Sequence, residues 1–338
     1  MANEKFVVIG AGPAGLQAAL TLRENIPQAS ITVITRDTSM PYRPSLLPKM
    51  IAGQVGEQEI YPCDINFWEE HHITLRRSQE VKAVDLHKNQ LITGHRESIG
   101  FDGLVIAVGG IPRIPEYLAL FRDLMWTLKT VQDAKAWMAH IAQIRSVLII
   151  GGDLTSLAVT RALLDMGKEV IFAVTREALW PLRYDPDVVA ELSKRLEMRG
   201  ASTLYFEKFK GIAVKGDKDY EVRVADQTLR VQMIGAFFGL VPDVSFLTRS
   251  GLVIDRGILV DEFLNTGFPT VFAAGDCAQI YHPDIGDYWI SIGVDNALAL
   301  GQIAALNLVG CTVKATVPLP SIFDREDVKV NTSWWVSF

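Results

Sequence analysis

Apolar residues recur along this chain in two forms, short unbroken runs and longer stretches with a helical period. The first run, Phe6-Val7-Val8-Ile9, has no polar alternation, which predicts a strand covered on both faces, as in a parallel sheet. Leu16-Gln17-Ala18-Ala19-Leu20-Thr21-Leu22 then carries the helical period, and Ile31-Thr32-Val33-Ile34 is a second buried strand. Strand, helix, strand is a β-α-β unit. It returns at Ser146 to Val174: strand Val147-Leu148-Ile149-Ile150, helix Leu154 to Met166, then strand Val170 to Val174. Phe101 to Pro112 predicts another strand, ending in small residues. Thr270 to Ala278 predicts one closed by Gly275-Asp276, and Ala297 to Leu308 a buried helix. Pro112 and Pro115 mark a linker between folding units. The fold class that follows is α/β.

The turn inside the first unit reads Gly10-Ala11-Gly12-Pro13-Ala14-Gly15. Gly10 permits a sharp turn, Gly12 lets backbone approach a pyrophosphate, and Gly15 lets the helix pack closely on the strand, its N-terminal dipole facing the phosphates. A dinucleotide is the expected ligand. Composition narrows the rest: 338 residues, 49% hydrophobic and 21% charged, suffice for two or three domains. The net charge of −6 argues against a nucleic-acid partner, which needs a basic face. Cys63, Cys277 and Cys311 are too scattered for a disulfide framework or a metal site, so no metal is expected. No basic-then-apolar leader and no long apolar tract is present, so the expectation is a cytoplasmic protein without a membrane span.

Taken together, the opening glycine turn, Ala107-Val108-Gly109-Gly110-Ile111-Pro112, the Gly151-Gly152 turn and Phe272-Ala273-Ala274-Gly275-Asp276 resemble the two-domain pyridine-nucleotide-dependent flavoproteins. That family includes the ferredoxin, rubredoxin and nitrite reductase flavoprotein components, and the resemblance covers about residues 5 to 312. It implies two Rossmann-like dinucleotide-binding domains, the second inserted into the first. The boundaries implied are an FAD domain of residues 1–113 and 241–313, an NAD(P)-binding-like domain of 114–240, and a truncated interface tail of 314–338. In the tail, Trp334, Trp335 and Phe338 are expected to dock on a partner or on the chain's own surface.

By the same resemblance, FAD would be held by Gly10, Gly12, Pro13, Ala14, Gly15, Thr35, Arg36, Arg43, Ala107, Gly109, Gly275, Asp276 and Ile292. Asp276 would lie beside the ribityl chain, whose hydroxyls need an ionised acceptor. Thr35 stands where an acid would hold the adenosine ribose, and Arg36 is expected to stack on adenine. The segment Arg43 to Gly53 resembles the flavin-proximal loop, with Arg43 and Lys49 as catalytic cations that would stabilise an anionic reduced flavin. Ser45 aligns where disulfide-reducing members carry a redox cysteine, so electrons would leave without a sulfur relay.

The second turn departs from the pattern. NAD(H) or NADP(H) is expected at Gly151, Gly152, Asp153, Leu154, Thr175 and Arg176, yet Asp153 places an acid where the pyrophosphate should approach. Either the cofactor binds in an altered pose, with Asp153 turned away or bonded to a ribose, or the domain no longer binds nicotinamide. The expected function is FAD-dependent electron transfer between NAD(P)H and a redox protein or iron–sulfur subunit, as part of a hetero-oligomer. The alternative is an FAD-bound scaffold or assembly subunit with a degenerate nicotinamide site. His71-His72, lacking the order of a metal motif, reads as a solvated helix end.

Overall fold

The computed structural model describes residues 4–64, 66–174, 186–206, 209–216, 219–224, 226–282, 286–291 and 293–315. The elements that build its two main sheets run in chain order as β1 (Lys5–Ile9), α1 (Pro13–Asn25), β2 (Ser30–Ile34), α2 (Leu47–Ile51), β3 (Ile73–Arg76), β4 (Gly103–Ile106) and β5 (Gly110–Pro112). They continue as α3 (Val131–Ile141), β6 (Ser146–Gly151), α4 (Leu154–Asp165), β7 (Glu169–Val174), β8 (Ser202–Tyr205), β9 (Met233–Phe237), β10 (Leu240–Pro242), β11 (Val271–Ala273) and α5 (Val294–Leu308).

The first sheet has the order β11-β4-β1-β2-β3, and every neighbouring pair is parallel. The unbroken apolar runs are explained by this placement: Val8, Val33, Leu104 and Val105 are fully buried between helical layers. Each contributes about 1.5–3 kcal/mol by leaving water. The second sheet, β8-β7-β6-β9, is also wholly parallel. Antiparallel β5 and β10 cross between the two, pairing Ile111 with Val241.

Two expected strands are broken. The run Phe101 to Pro112 becomes β4 and β5, separated at Ala107 to Gly109, where Gly109 takes φ +63° and turns the chain out of the first sheet. Thr270 to Ala278 becomes β11, a 3-10 turn over Gly275–Cys277, and the start of a strand in a smaller sheet. In both places an apolar run concealed a turn.

Residues 47–60 link the two halves. Leu47, Met50, Ile51 and Ile60 are buried in one apolar cluster with Trp137 of α3, Leu157 and Leu163 of α4 and Phe172 of β7. The Arg43 to Gly53 segment, which follows β2 of the first sheet, is thereby fixed against the second. His71 and His72 follow the short helix Phe67–Glu70, and their carbonyls accept hydrogen bonds from Arg23 at 2.9 and 2.7 Å, a structural role.

Candidate functional site

The two β-α-β units end their first strands alike. A Cβ on Gly10 would lie 2.2 Å from the Ala107 carbonyl oxygen, and one on Gly151 would lie 2.3 Å from that of Phe237. Both glycines therefore let the chain leaving two adjacent parallel strands pass in close contact at their carboxyl ends, β1 beside β4 in one sheet and β6 beside β9 in the other. In each sheet the chain reverses its direction of strand addition there, and ligands of such sheets bind in that crevice.

At the first crevice Gly10 takes φ +105°, which a side chain would strain. Gly15 is pressed against it: a Cβ would lie 1.9 Å from the Gly10 carbonyl oxygen. Gly12, the N-cap of α1, is different, because a Cβ there would meet nothing within 4 Å and no side chain caps the helix. Pro13 occupies the first helical turn, and Ala14 faces the neighbouring helix. The N-terminus of α1 thus has no side-chain cap and open space at the Gly12 Cβ position, and its partial positive charge is left without a capping oxygen.

Asp276 lies beside this opening. Gly275 packs on it from β11, its Cβ position 3.0 Å from Ala14 Cβ, so the 3-10 turn rests on the start of α1. The Asp276 side chain is half-buried, and desolvation pushes its carboxyl above the ordinary aspartate range, opposed by the positive charge of Lys129 and by the Gly293 N–H. The Gly293 N–H takes up part of the carboxylate's acceptor capacity, and the rest can receive other donors. Lys129 comes from the other half of the molecule, its Nζ 3.9 Å from the Cβ position of Gly109.

Lys129 is held at both ends of its peptide unit. Its N–H donates to Asp133 Oδ2 at 2.9 Å, within the capping box Thr130–Asp133 of α3. Its carbonyl accepts from the Tyr42 hydroxyl at 3.3 Å, which also lies 3.2 Å from Asp37 Oδ2. Burial and the Asp37 charge raise the Tyr42 phenol, so it stays protonated and able to donate. Sequence reasoning missed Lys129 and Tyr42. The available signal was the Thr130-x-x-Asp133 box, which fixes the residue just before it.

Other expected residues sit further out. Arg43, Ser45 and Lys49 are exposed, Lys49 in the last turn of α2. The Arg36 guanidinium is ion-paired with Asp243, on the segment after β10. Thr35 Oγ1 accepts from the Asp37 N–H at 3.2 Å. Ala107 is buried in the first core. Ile292, Thr175, Arg176, Trp334, Trp335 and Phe338 lie outside the described residues.

The second crevice carries its own anion. Asp153 caps α4, its Oδ1 accepting from the Ser156 N–H at 2.7 Å and its Oδ2 from the Gly239 N–H at 2.8 Å. Gly239 follows β9, so the carboxylate bridges the helix N-terminus and the far lip of the crevice. Ser156 replaces the third glycine, is fully buried, and donates its hydroxyl to the Asp153 carbonyl at 2.6 Å. Asp153 is therefore turned inward onto its own helix, and Leu154 opens that helix behind it.

Sulfur chemistry is disfavoured at the first crevice. Cys277 is buried, its S–H placed to donate to the Ile106 or Ala274 carbonyl oxygen, each 3.4 Å from Sγ, and burial pushes its thiol up to about 11. Burial also raises the Cys63 thiol. Neither is a thiolate at neutral pH.

A family model described as pyridine nucleotide-disulphide oxidoreductase matches residues 4–301. The rubredoxin-NAD(+) reductase of Ectopseudomonas oleovorans is 23% identical over 315 residues, covering 93% of this chain and 82% of that protein. The nitric oxide reductase FlRd-NAD(+) reductase of Klebsiella pneumoniae is 28% identical over 340 residues, covering 98% and 89%. Among solved structures, NADH:rubredoxin oxidoreductase from Clostridium acetobutylicum superposes with a TM-score of 0.78 at 23% identity, over 94% of this chain and 78% of that one. The chain belongs to the pyridine nucleotide-disulphide oxidoreductase family, and FAD and a pyridine nucleotide are its cofactors. Among the described residues no helix is long and apolar enough to cross a membrane.

Proposed function

We propose that the chain moves electrons between a pyridine nucleotide and a separate redox protein, with FAD in the first crevice and nicotinamide dinucleotide at the second. When bound, FAD supplies two-electron acceptance with release one electron at a time. The residues present fit it. The uncapped N-terminus of α1 behind Gly12 offers N–H donors to a diphosphate. Asp276, on the turn that packs against the start of α1, offers its carboxylate to a hydroxylated chain. Lys129 brings a cation to the same recess from the other half of the molecule, and Tyr42 and Asp133 hold its backbone there.

The observation that carries this reading is the open N-cap at Gly12 lying beside Asp276, with Ser45 rather than a cysteine in the loop after β2. A disulfide or peroxide reductase needs a thiolate next to the flavin, and Ser45 cannot supply one. Electrons then leave for a docked acceptor. The relatives' names, which include rubredoxin-NAD(+) reductase, support an iron–sulfur or rubredoxin-like protein as that acceptor. Assembly with such a partner as a hetero-oligomer, and a cytoplasmic location, belong to the same proposal.

Anaerobic titration of the yellow protein with NADH and with NADPH tests it. Loss of flavin absorbance near 450 nm, at about one equivalent, and its return on adding oxidised rubredoxin are the expected results. FAD-loaded protein that neither dinucleotide bleaches would overturn it in favour of an FAD-bound scaffold.

A further inference from the structure

The N-terminus of α4 is the position at which a β-α-β unit receives a dinucleotide's diphosphate, and here a side chain of the protein already sits in it. We propose that Asp153 is a built-in competitor for the diphosphate of the incoming pyridine nucleotide: its carboxylate must leave the Ser156 and Gly239 N–H groups before those donors can receive the ligand. This rests on the reading that the second crevice takes nicotinamide dinucleotide.

Three observations support it. The Asp153 carboxylate takes donors from both lips of the crevice, at 2.7 Å from Ser156 on the helix and 2.8 Å from Gly239 beyond β9. The corresponding residue of the first turn is Gly12, and the two N-caps share nearly one backbone conformation, φ −73° and ψ −176° at Gly12 against φ −81° and ψ 172° at Asp153. The turns therefore differ in what fills the anion position rather than in how it is built. Finally, burial raises the Asp153 carboxyl even against its N–H donors, so desolvation offsets part of what those bonds contribute.

The consequence is a nicotinamide site that is closed at rest and weak toward dinucleotide. A like charge near the diphosphate opposes binding, while adenosine, which has no phosphate, does not meet it. Removing the carboxylate should free two N–H donors and remove that repulsion together.

The test uses the FAD-loaded full chain and its Asp153→Gly and Asp153→Asn variants, with calorimetric titration of ADP-ribose, NADH and adenosine. Flavin spectrum and circular dichroism report that each variant is folded. Asp153→Gly is expected to bind ADP-ribose and NADH at least tenfold more tightly, Asp153→Asn to fall between, and adenosine to stay within twofold. Equal ADP-ribose affinity in all three proteins, or a gain that adenosine shares, would overturn the inference. If wild type is bleached at the same NADH concentration as the variants, only the role of Asp153 falls. If neither wild type nor either variant binds or is bleached by NADH or NADPH, the reading of the second crevice falls with it.

Discussion

Placing in the first turn the residue that the second one carries separates a ligand cradle from a merely tight turn. Gly12→Asp puts a carboxylate at the N-cap of α1 in a backbone conformation that Asp153 already adopts at α4, and its Cβ meets nothing within 4 Å. The fold should accept it. Replacing glycine with aspartate at an N-cap gains a few tenths of a kcal/mol from the cap and about as much again from the helix dipole. Together that is about 0.5–1 kcal/mol, which raises the Tm of the flavin-stripped chain by about 1–3 °C. The same carboxylate would oppose a diphosphate held at this helix N-terminus, and at an effective dielectric of about 20 a pair of like charges about 4 Å apart costs about 4 kcal/mol. FAD affinity should fall about a thousandfold, so the variant purifies colourless while unfolding at a higher temperature. Flavin content after isolation, fluorescence titration with added FAD and thermal unfolding of the stripped protein give the three numbers. A yellow Gly12→Asp protein with unchanged FAD affinity would show that the opening at α1 is not the diphosphate site. A lowered Tm would show that the two caps are not equivalent.

Lys129→Met removes the cation whose charge opposes the burial of Asp276. Screened by the open recess, its loss is worth about 1 kcal/mol, which for a two-electron couple is a fall of about 20–30 mV in flavin potential. Dye-coupled reductive titration measures it, and an unchanged potential removes Lys129 from the site. Cys277 gives a pH dependence. Its thiol, at about 11 in the folded chain against 9.0 unfolded, keeps a proton that the unfolded state has lost, so its stabilising contribution is complete below pH 9 and disappears as pH rises through 11. The loss is about 2–3 kcal/mol in urea unfolding between those two pH values, and Cys277→Ala should lack it. Gly301→Val tests the closest approach of α1 and α5, where a Cβ would lie 2.1 Å from the Ala14 carbonyl oxygen. Forcing the helices apart should cost about 3 kcal/mol or more and release FAD, because α1 and the Asp276 turn share that contact. A variant that stays yellow with an unshifted urea midpoint would contradict it.

What could be read from residues alone follows from range. Buried parallel strands announce themselves in four or five consecutive apolar residues, and the glycine turns lie directly between strand and helix, so both β-α-β units appear in sequence near where they stand. Turns hidden inside apolar runs do not: Ala107 to Gly109 and Gly275 to Cys277 interrupt strands without a polar residue to mark the break, apart from Asp276 itself. Long-range partners are harder still. Arg36 reads as an adenine-stacking cation, and its partner Asp243, brought near only by folding, is invisible in the sequence. Lys129 reads as one more lysine until Tyr42, from the far side of the chain, is seen gripping its carbonyl. Asp153 is the instructive case. Its misfit to the glycine pattern was visible in the sequence, but two readings remained, a cofactor held in an altered pose with Asp153 turned away or bonded to a ribose, or a domain that no longer binds nicotinamide. The donor that turns the carboxylate inward, Gly239, is 86 residues away and reaches Asp153 only because β9 adds beside β6. A site built from two crevices whose N-caps share one backbone conformation, one empty at Gly12 and one filled by the Asp153 carboxylate, gives each half a separate task. The open one can hold a resident cofactor tightly, and the self-capped one suits a cofactor that must arrive and leave in every turnover.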